Sequence, residues 1–124
     1  MDTVRHLFQM QLDGDVLILA PHSNLSELEL SYFEEEFRAV LRELEVAGHR
    51  NVVLDFDGTD YYGSTALGFF LKLWKRIRSV DGRMAFCNVS PHEQEVLRLT
   101  RLDTLWPVCD TRADAVARLH RNDA

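Results

Sequence analysis

With 124 residues, 46% of them hydrophobic and 27% charged, the chain has the size and composition of one soluble globular domain, and its length suffices for a core without disulfide or metal staples. A net charge of −6 argues against nucleic acid as a partner. The longest apolar runs are too short to cross a bilayer, and the N-terminal stretch MDTVRHLFQMQLDGD holds no signal-peptide core, so a cytoplasmic protein with no membrane partner is expected.

Gln9 to Leu12 and Val16 to Leu19 read as two strands around an Asp13-Gly14-Asp15 turn. Ser26-x-x-Glu29 then forms a capping box, in which a hydroxyl and a carboxylate satisfy reciprocal backbone N–H groups at a helix start. Leu30, Phe33, Phe37, Val40, Leu41 and Leu44 fall at three- and four-residue steps and make one apolar stripe, which Gly48 terminates. Val52 to Phe56 (VVLDF) is a short apolar run of the kind a buried parallel strand shows. The next helix starts near Ser64 or Thr65. Leu67, Phe70, Leu71, Trp74 and Ile77 are its expected buried stripe, and Lys72, Lys75, Arg76 and Arg78 suit the negative end of its dipole.

Asp81-Gly82 breaks that helix, and Arg83 to Asn88 forms the following strand. Ser90-Pro91-His92-Glu93 is a second capping box with proline at the first helical position. Leu105 to Cys109 is expected as a last strand, placed at a sheet edge by Pro107, and Thr111 opens a final helix through Ala115, Val116 and Leu119. The order is β-β-α-β-α-β-α-β-α. Such alternation requires an α/β fold with a mostly parallel sheet and helix crossovers, to which the leading hairpin adds an antiparallel N-terminal strand. No repeat, low-complexity segment or linker interrupts residues 1–124, so one domain is expected.

Charge is unevenly spread. Residues 1–64 carry 13 acids against 4 bases, a balance of −9, whereas residues 65–124 carry 7 acids against 10 bases, a balance of +3. This describes two solvated helix faces of opposite sign, or an acidic surface that docks a basic protein. Cys87 and Cys109 each lie in or beside an apolar segment and read as buried reduced thiols.

Val52 to Thr59, VVLDFDGT, looks at first like the start of a phosphotransferase in which Asp55 attacks phosphorus and Asp57 is the general acid/base. That chemistry also needs Mg²⁺ held by further carboxylates, and a cation that neutralises the transferred group. The two later strand ends offer Asn88 and Cys109-Asp110, with no acidic pair. The five histidines have no metal-ligand spacing, and Gly58, Gly63 and Gly68 make neither a P-loop nor a dinucleotide fingerprint. A small Mg²⁺-dependent phosphatase using Asp55 and Asp57 is therefore the weakest reading, and no cofactor is expected.

Taken over a longer span, the string resembles a STAS domain, the module of bacterial anti-sigma factor antagonists. Val53-Leu54-Asp55-Phe56 matches the family's strand, and Gly63-Ser64-Thr65-Ala66-Leu67-Gly68 its helix start. Asp81-Gly82-Arg83-Met84, Asn88-Val89-Ser90-Pro91 and the Leu97–Trp106 region follow in the family's order, so the resemblance covers residues 14–119. It implies a non-enzymatic regulator in which Ser64 is the phosphate acceptor, with Thr65 a second. Its partner would be an anti-sigma factor or related serine kinase, met by the loop Asp57, Thr59, Asp60, Tyr61, Tyr62, Gly63 and Ser64. Three positions depart from the pattern: Gly63 replaces an Asp, Ala66 replaces a Gly, and Arg101 replaces the Gly of a later turn. Loss of the acidic neighbour weakens the case for kinase recognition. The alternative is a stand-alone scaffold that assembles with copies or relatives and is never phosphorylated.

Overall fold

A computed structural model of the chain describes residues 8–21, 30–48, 50–57 and 64–120, with the backbone alone described at 30–33, 47, 64 and 65. Strands β1 (Phe8–Asp13) and β2 (Val16–Pro21) precede helix α1 (Leu30–Ala47), strand β3 (Asn51–Asp55) and helix α2 (Ser64–Ser79). Strand β4 (Arg83–Cys87), helix α3 (Pro91–Leu99), a 3-10 turn (Leu102–Thr104), strand β5 (Val108–Cys109) and helix α4 (Arg112–His120) complete the order. The expected sequence of elements is present, and the fold is α/β. The Ser26-x-x-Glu29 capping box lies outside the described residues.

One five-stranded sheet runs β1-β2-β3-β4-β5, antiparallel between β1 and β2 and parallel thereafter. Gly14 closes the hairpin with φ +63°, a conformation that costs a glycine nothing. Each parallel strand is laid beside its predecessor in the same direction. Right-handed crossovers must then put their helices on one face. Val40 and Leu44 of α1, Phe69, Phe70, Leu73 and Ile77 of α2, and Leu97 of α3 accordingly share one core with Leu17, Leu19, Val52, Leu54, Met84 and Phe86.

Alternation along the strands sends the intervening side chains the other way. Val16, Ile18, Val53, Ala85 and Cys87 meet Ala115, Val116 and Leu119 of α4, the helix that covers the second face. The two layers differ in grain. Large aromatics fill the three-helix side, where the Phe86 ring lies 5.0 Å from Phe56, 5.2 Å from Phe70 and 4.8 Å from Trp106. Small side chains on the α4 side let one short helix approach closely.

Two expectations need correction. Trp74, like Leu67 and Leu71, is half-buried rather than seated in the core, because the stripe facing the sheet is Ala66, Phe69, Phe70, Leu73 and Ile77. At the border of that stripe, its ring lies 6.3 Å from Trp106, with the Arg78 guanidinium 5.1 Å above it. Strand β5 is also shorter than Leu105–Cys109. The 3-10 turn precedes it, Trp106 turns inward to 2% exposure, and the Pro107 carbonyl accepts the Phe86 N–H at 2.9 Å. Only Val108 and Cys109 pair, at the edge of the sheet.

The expected stop at Gly48 and the expected starts at Ser90 and Thr111 are present. Gly48 has φ +72°, Ser90 Oγ accepts the Glu93 N–H at 3.4 Å, and Thr111 Oγ1 accepts the Asp114 N–H at 3.1 Å. Arg101 is an exception to local economy. It sits at φ +63° and is exposed, although for any residue with a Cβ that conformation costs about 1–2 kcal/mol. Arg101→Gly should therefore raise stability by roughly 0.5–1 kcal/mol after the larger unfolded-state entropy of glycine is subtracted. A urea midpoint that falls on substitution would show that the arginine side chain repays its strained backbone.

Candidate functional site

The parallel strands converge at their C-terminal ends, where an open α/β sheet presents its loops and helix N-termini. Asp55 is the last residue of β3 and its side chain is 4% exposed. By alternation it points to the same face as Val53, toward α4. Oδ1 accepts the Asn88 Nδ2–H at 2.8 Å and the Asp57 backbone N–H at 3.0 Å. Oδ2 accepts Nε–H of Arg112 at 2.7 Å. The same guanidinium reaches Gln11 on β1, donating from Nη1 to Oε1 at 3.2 Å. One carboxylate thus ties together the ends of β3 and β4, the start of α4 and the hairpin.

Burial alone would raise the Asp55 pKa. The hydrogen bonds from Asn88, Arg112 and the Asp57 N–H, with the Arg112 charge, outweigh it and hold the carboxyl below the ordinary aspartate value. Asp55 is an ionised acceptor with both oxygens engaged. The bond to the N–H two residues on is the local signature of an aspartate that folds the turn after it, and Asp57 itself is exposed in that turn.

Beside Asp55, Cys87 is fully buried and Cys109 half-buried, register partners on adjacent parallel strands and both free thiols. Burial, then the Asp55 charge, pushes the Cys87 thiol far up, and burial raises Cys109 as well. Neither is poised as a thiolate nucleophile.

On the other side of β3, α2 opens at Ser64, the first residue of the helix. Ser64 and Thr65 are therefore placed by their backbone at a helix N-terminus, where free N–H groups favour an anion. Thr59, Asp60, Tyr61, Tyr62 and Gly63 lie outside the described residues. The residues that the sequence left unassigned are Arg112 and Gln11. Arg112 is 57 positions from Asp55, so no local spacing announces their pairing. Asn88 was visible as a strand-end residue, and its φ of +57° turns the chain so that the amide reaches Asp55.

Among the described residues no group of three or more His, Cys, Asp or Glu could hold a metal ion, and no helix is long and apolar enough to cross a membrane. The chain is 34% identical to a protein of Bordetella bronchiseptica provisionally named anti-sigma factor antagonist BtrV, over 67% of this chain and 72% of that protein. A crystal structure of TM1081 from Thermotoga maritima, provisionally described as an anti-sigma factor antagonist, superposes with a TM-score of 0.81 at 26% identity, covering 94% and 97% of the two chains. The Bacillus cell fate determinant SpoIIAA, solved in its phosphorylated form, shares the fold at a TM-score of 0.67 and 18% identity, over 91% and 99%. The STAS domain family matches residues 8–115, which takes in every strand and the start of α4. The chain belongs to the STAS domain family.

Proposed function

We propose that this chain is a non-enzymatic regulator of the anti-sigma factor antagonist type, a single cytoplasmic domain that binds an anti-sigma factor or a related serine kinase. The partner meets the loop from Asp57 to Ser64 and the first turns of α2, and phosphorylation of Ser64 releases it. Thr65 is the second candidate acceptor. The observation that carries this reading is the engagement of Asp55. An aspartate whose two oxygens are held by Asn88, Arg112 and the Asp57 N–H is a fixture of the strand end. Its side chain is 4% exposed and paired with Arg112, so it is not presented to an incoming phosphate, which weighs against the Asp55/Asp57 phosphatase. In this reading regulation acts on Ser64, whose backbone opens α2.

The physics of the switch is local. A phosphate on Ser64 adds about −1.5 to −2 charge at a helix N-terminus, which tolerates it, so the fold survives. A partner packed on the same loop, whose sequence also carries Asp57 and Asp60, meets that added charge and is repelled. The relatives named as anti-sigma factor antagonists support the partner class, and SpoIIAA supports phosphorylation as a state this fold accommodates.

The test begins with capture of the partner from the native host and continues by calorimetry. Ser64→Glu should fold normally and bind about tenfold or more weakly. Ser64→Ala should bind like wild type, resist kinase-driven release and lose only a helix cap, about 0.5–2 kcal/mol of stability. Equal affinity for all three forms would remove Ser64 from the interface and favour the scaffold that is never phosphorylated. Gly63→Asp restores the acidic neighbour. If that change alone creates a kinase substrate, this chain has lost the switch.

A further inference from the structure

At the far end of α2, about 20 Å along the helix from Ser64, the last turns of α1 and α2 leave a groove of about 260 Å³. Leu41 and Leu44 of α1 and Ile77 and Val80 at the end of α2 wall it with aliphatic surface. Its rim is charged. Arg76 Nη2 and Glu45 Oε2 pair at 2.9 Å and neutralise each other. Arg50, also on the rim, has no ion-pair partner among the described residues. The groove therefore presents an apolar floor and one surplus guanidinium.

The backbone of Arg50 is fixed against the end of α2. Gly82 approaches Arg50 so closely that a Cβ would lie 1.9 Å from the Arg50 carbonyl oxygen and 2.8 Å from Ile77 Cγ2. The turn that brings it there is closed by Gly82 N–H to the Ile77 carbonyl at 2.8 Å. Arg50 is thus held against the end of the helix that supplies the groove's wall.

We infer that this groove binds a small monoanionic amphiphile, a carboxylate with an aliphatic body, whose head pairs with Arg50 and whose body lies on Leu41, Leu44, Ile77 and Val80. Arginine matches a carboxylate with two parallel N–H donors, and its charge selects an acid over the corresponding alcohol. A groove of about 260 Å³ has room for a medium-chain carboxylate, of which octanoate is representative. Nothing in this site depends on Ser64 or its partner.

Sodium octanoate, octan-1-ol and sodium acetate are the probes, titrated into the isotope-labelled chain and followed by amide shifts. Octanoate should give saturable shifts centred on Ile77 and Val80, with Kd about millimolar or tighter. Octanol should bind at least about fivefold more weakly for want of the ion pair, and acetate should not bind. Arg50→Gln should abolish the preference for acid over alcohol, and Val80→Trp should block both. These residues are exposed, so both variants should fold. The inference is overturned by the absence of saturable shifts, by shifts centred elsewhere, or by equal binding of acid and alcohol. Sedimentation gives the remaining outcome. A dimer that Val80→Glu dissociates would assign the groove to a second copy and overturn it equally.

Discussion

Phe86→Ala should lower the stability of this protein by about 3–5 kcal/mol, the largest loss expected from a single side chain here. Phe86 is fully buried on β4, between β3 and β5, and its ring touches three other buried aromatics, Phe56, Phe70 and Trp106. No neighbour is small enough to collapse into the space without uncovering the ring behind it. Against the 5–15 kcal/mol typical of a domain, such a loss leaves little in reserve, and a drop in melting temperature of roughly 10–20 °C is expected. Phe86→Leu, which keeps most of the volume, should cost less than half as much. A melting temperature unchanged by the alanine substitution would mean that the aromatic layer is not the centre of the core.

Arg112→Met should cost about 2 kcal/mol at neutral pH, and the loss should depend on pH. Removing one partner of a fully buried ion pair costs about 3–5 kcal/mol because the other charge is stranded. Here Asp55 is buried but the Arg112 side chain is 37% exposed, so solvent screens part of that effect. In the wild type the folded-state pKa of Asp55 lies below its ordinary value of 3.8. Its contribution is therefore complete above that pH and is lost as pH falls through the lower, folded value. Without Arg112, burial acts on the carboxyl with less opposition, and protonation relieves the variant instead of harming it. The stability gap between the two proteins should thus be widest at neutral pH, narrow in acid, and close only as the pH falls through the lowered, folded value. Urea unfolding at neutral and acidic pH measures it. A gap of constant size would mean that Arg112 acts through packing alone.

The sheet was legible because its period and its breakers agree. Val52 to Asp55 had to be buried on both faces, and Asp81-Gly82 had to end a helix, whichever way the rest was arranged. What the chain alone conveyed less well is rotation. Trp74 and Leu73 are adjacent and both apolar, so the stripe of α2 is compatible with two settings one residue apart. Packing against the sheet beneath puts Leu73 in the core and leaves Trp74 at its border. Strand β5 was overdrawn for a related reason, since Trp106 reads as a strand residue while its ring serves the core from a loop. At the site, Asp55 and Ser64 stand out locally, but Arg112 does not. Its role depends on α4 crossing the second face of the sheet, a long-range fact that no window of residues contains. The groove by Arg50 was equally silent, because it is the space left where two helices end.

The placing of α4 has a consequence for how the protein is made. Strands β2 to β5 each pair with the strand made just before them, so the sheet with its three-helix face can assemble in the order in which the chain leaves the ribosome. Until α4 emerges, Val16, Ile18, Val53, Ala85 and Cys87 have no cover, and Asp55 waits for Arg112. The nascent chain therefore passes through an interval with one finished side and one adhesive side. Docking of a nine-residue helix ends that interval and locks the end of β3 through Arg112 in the same step.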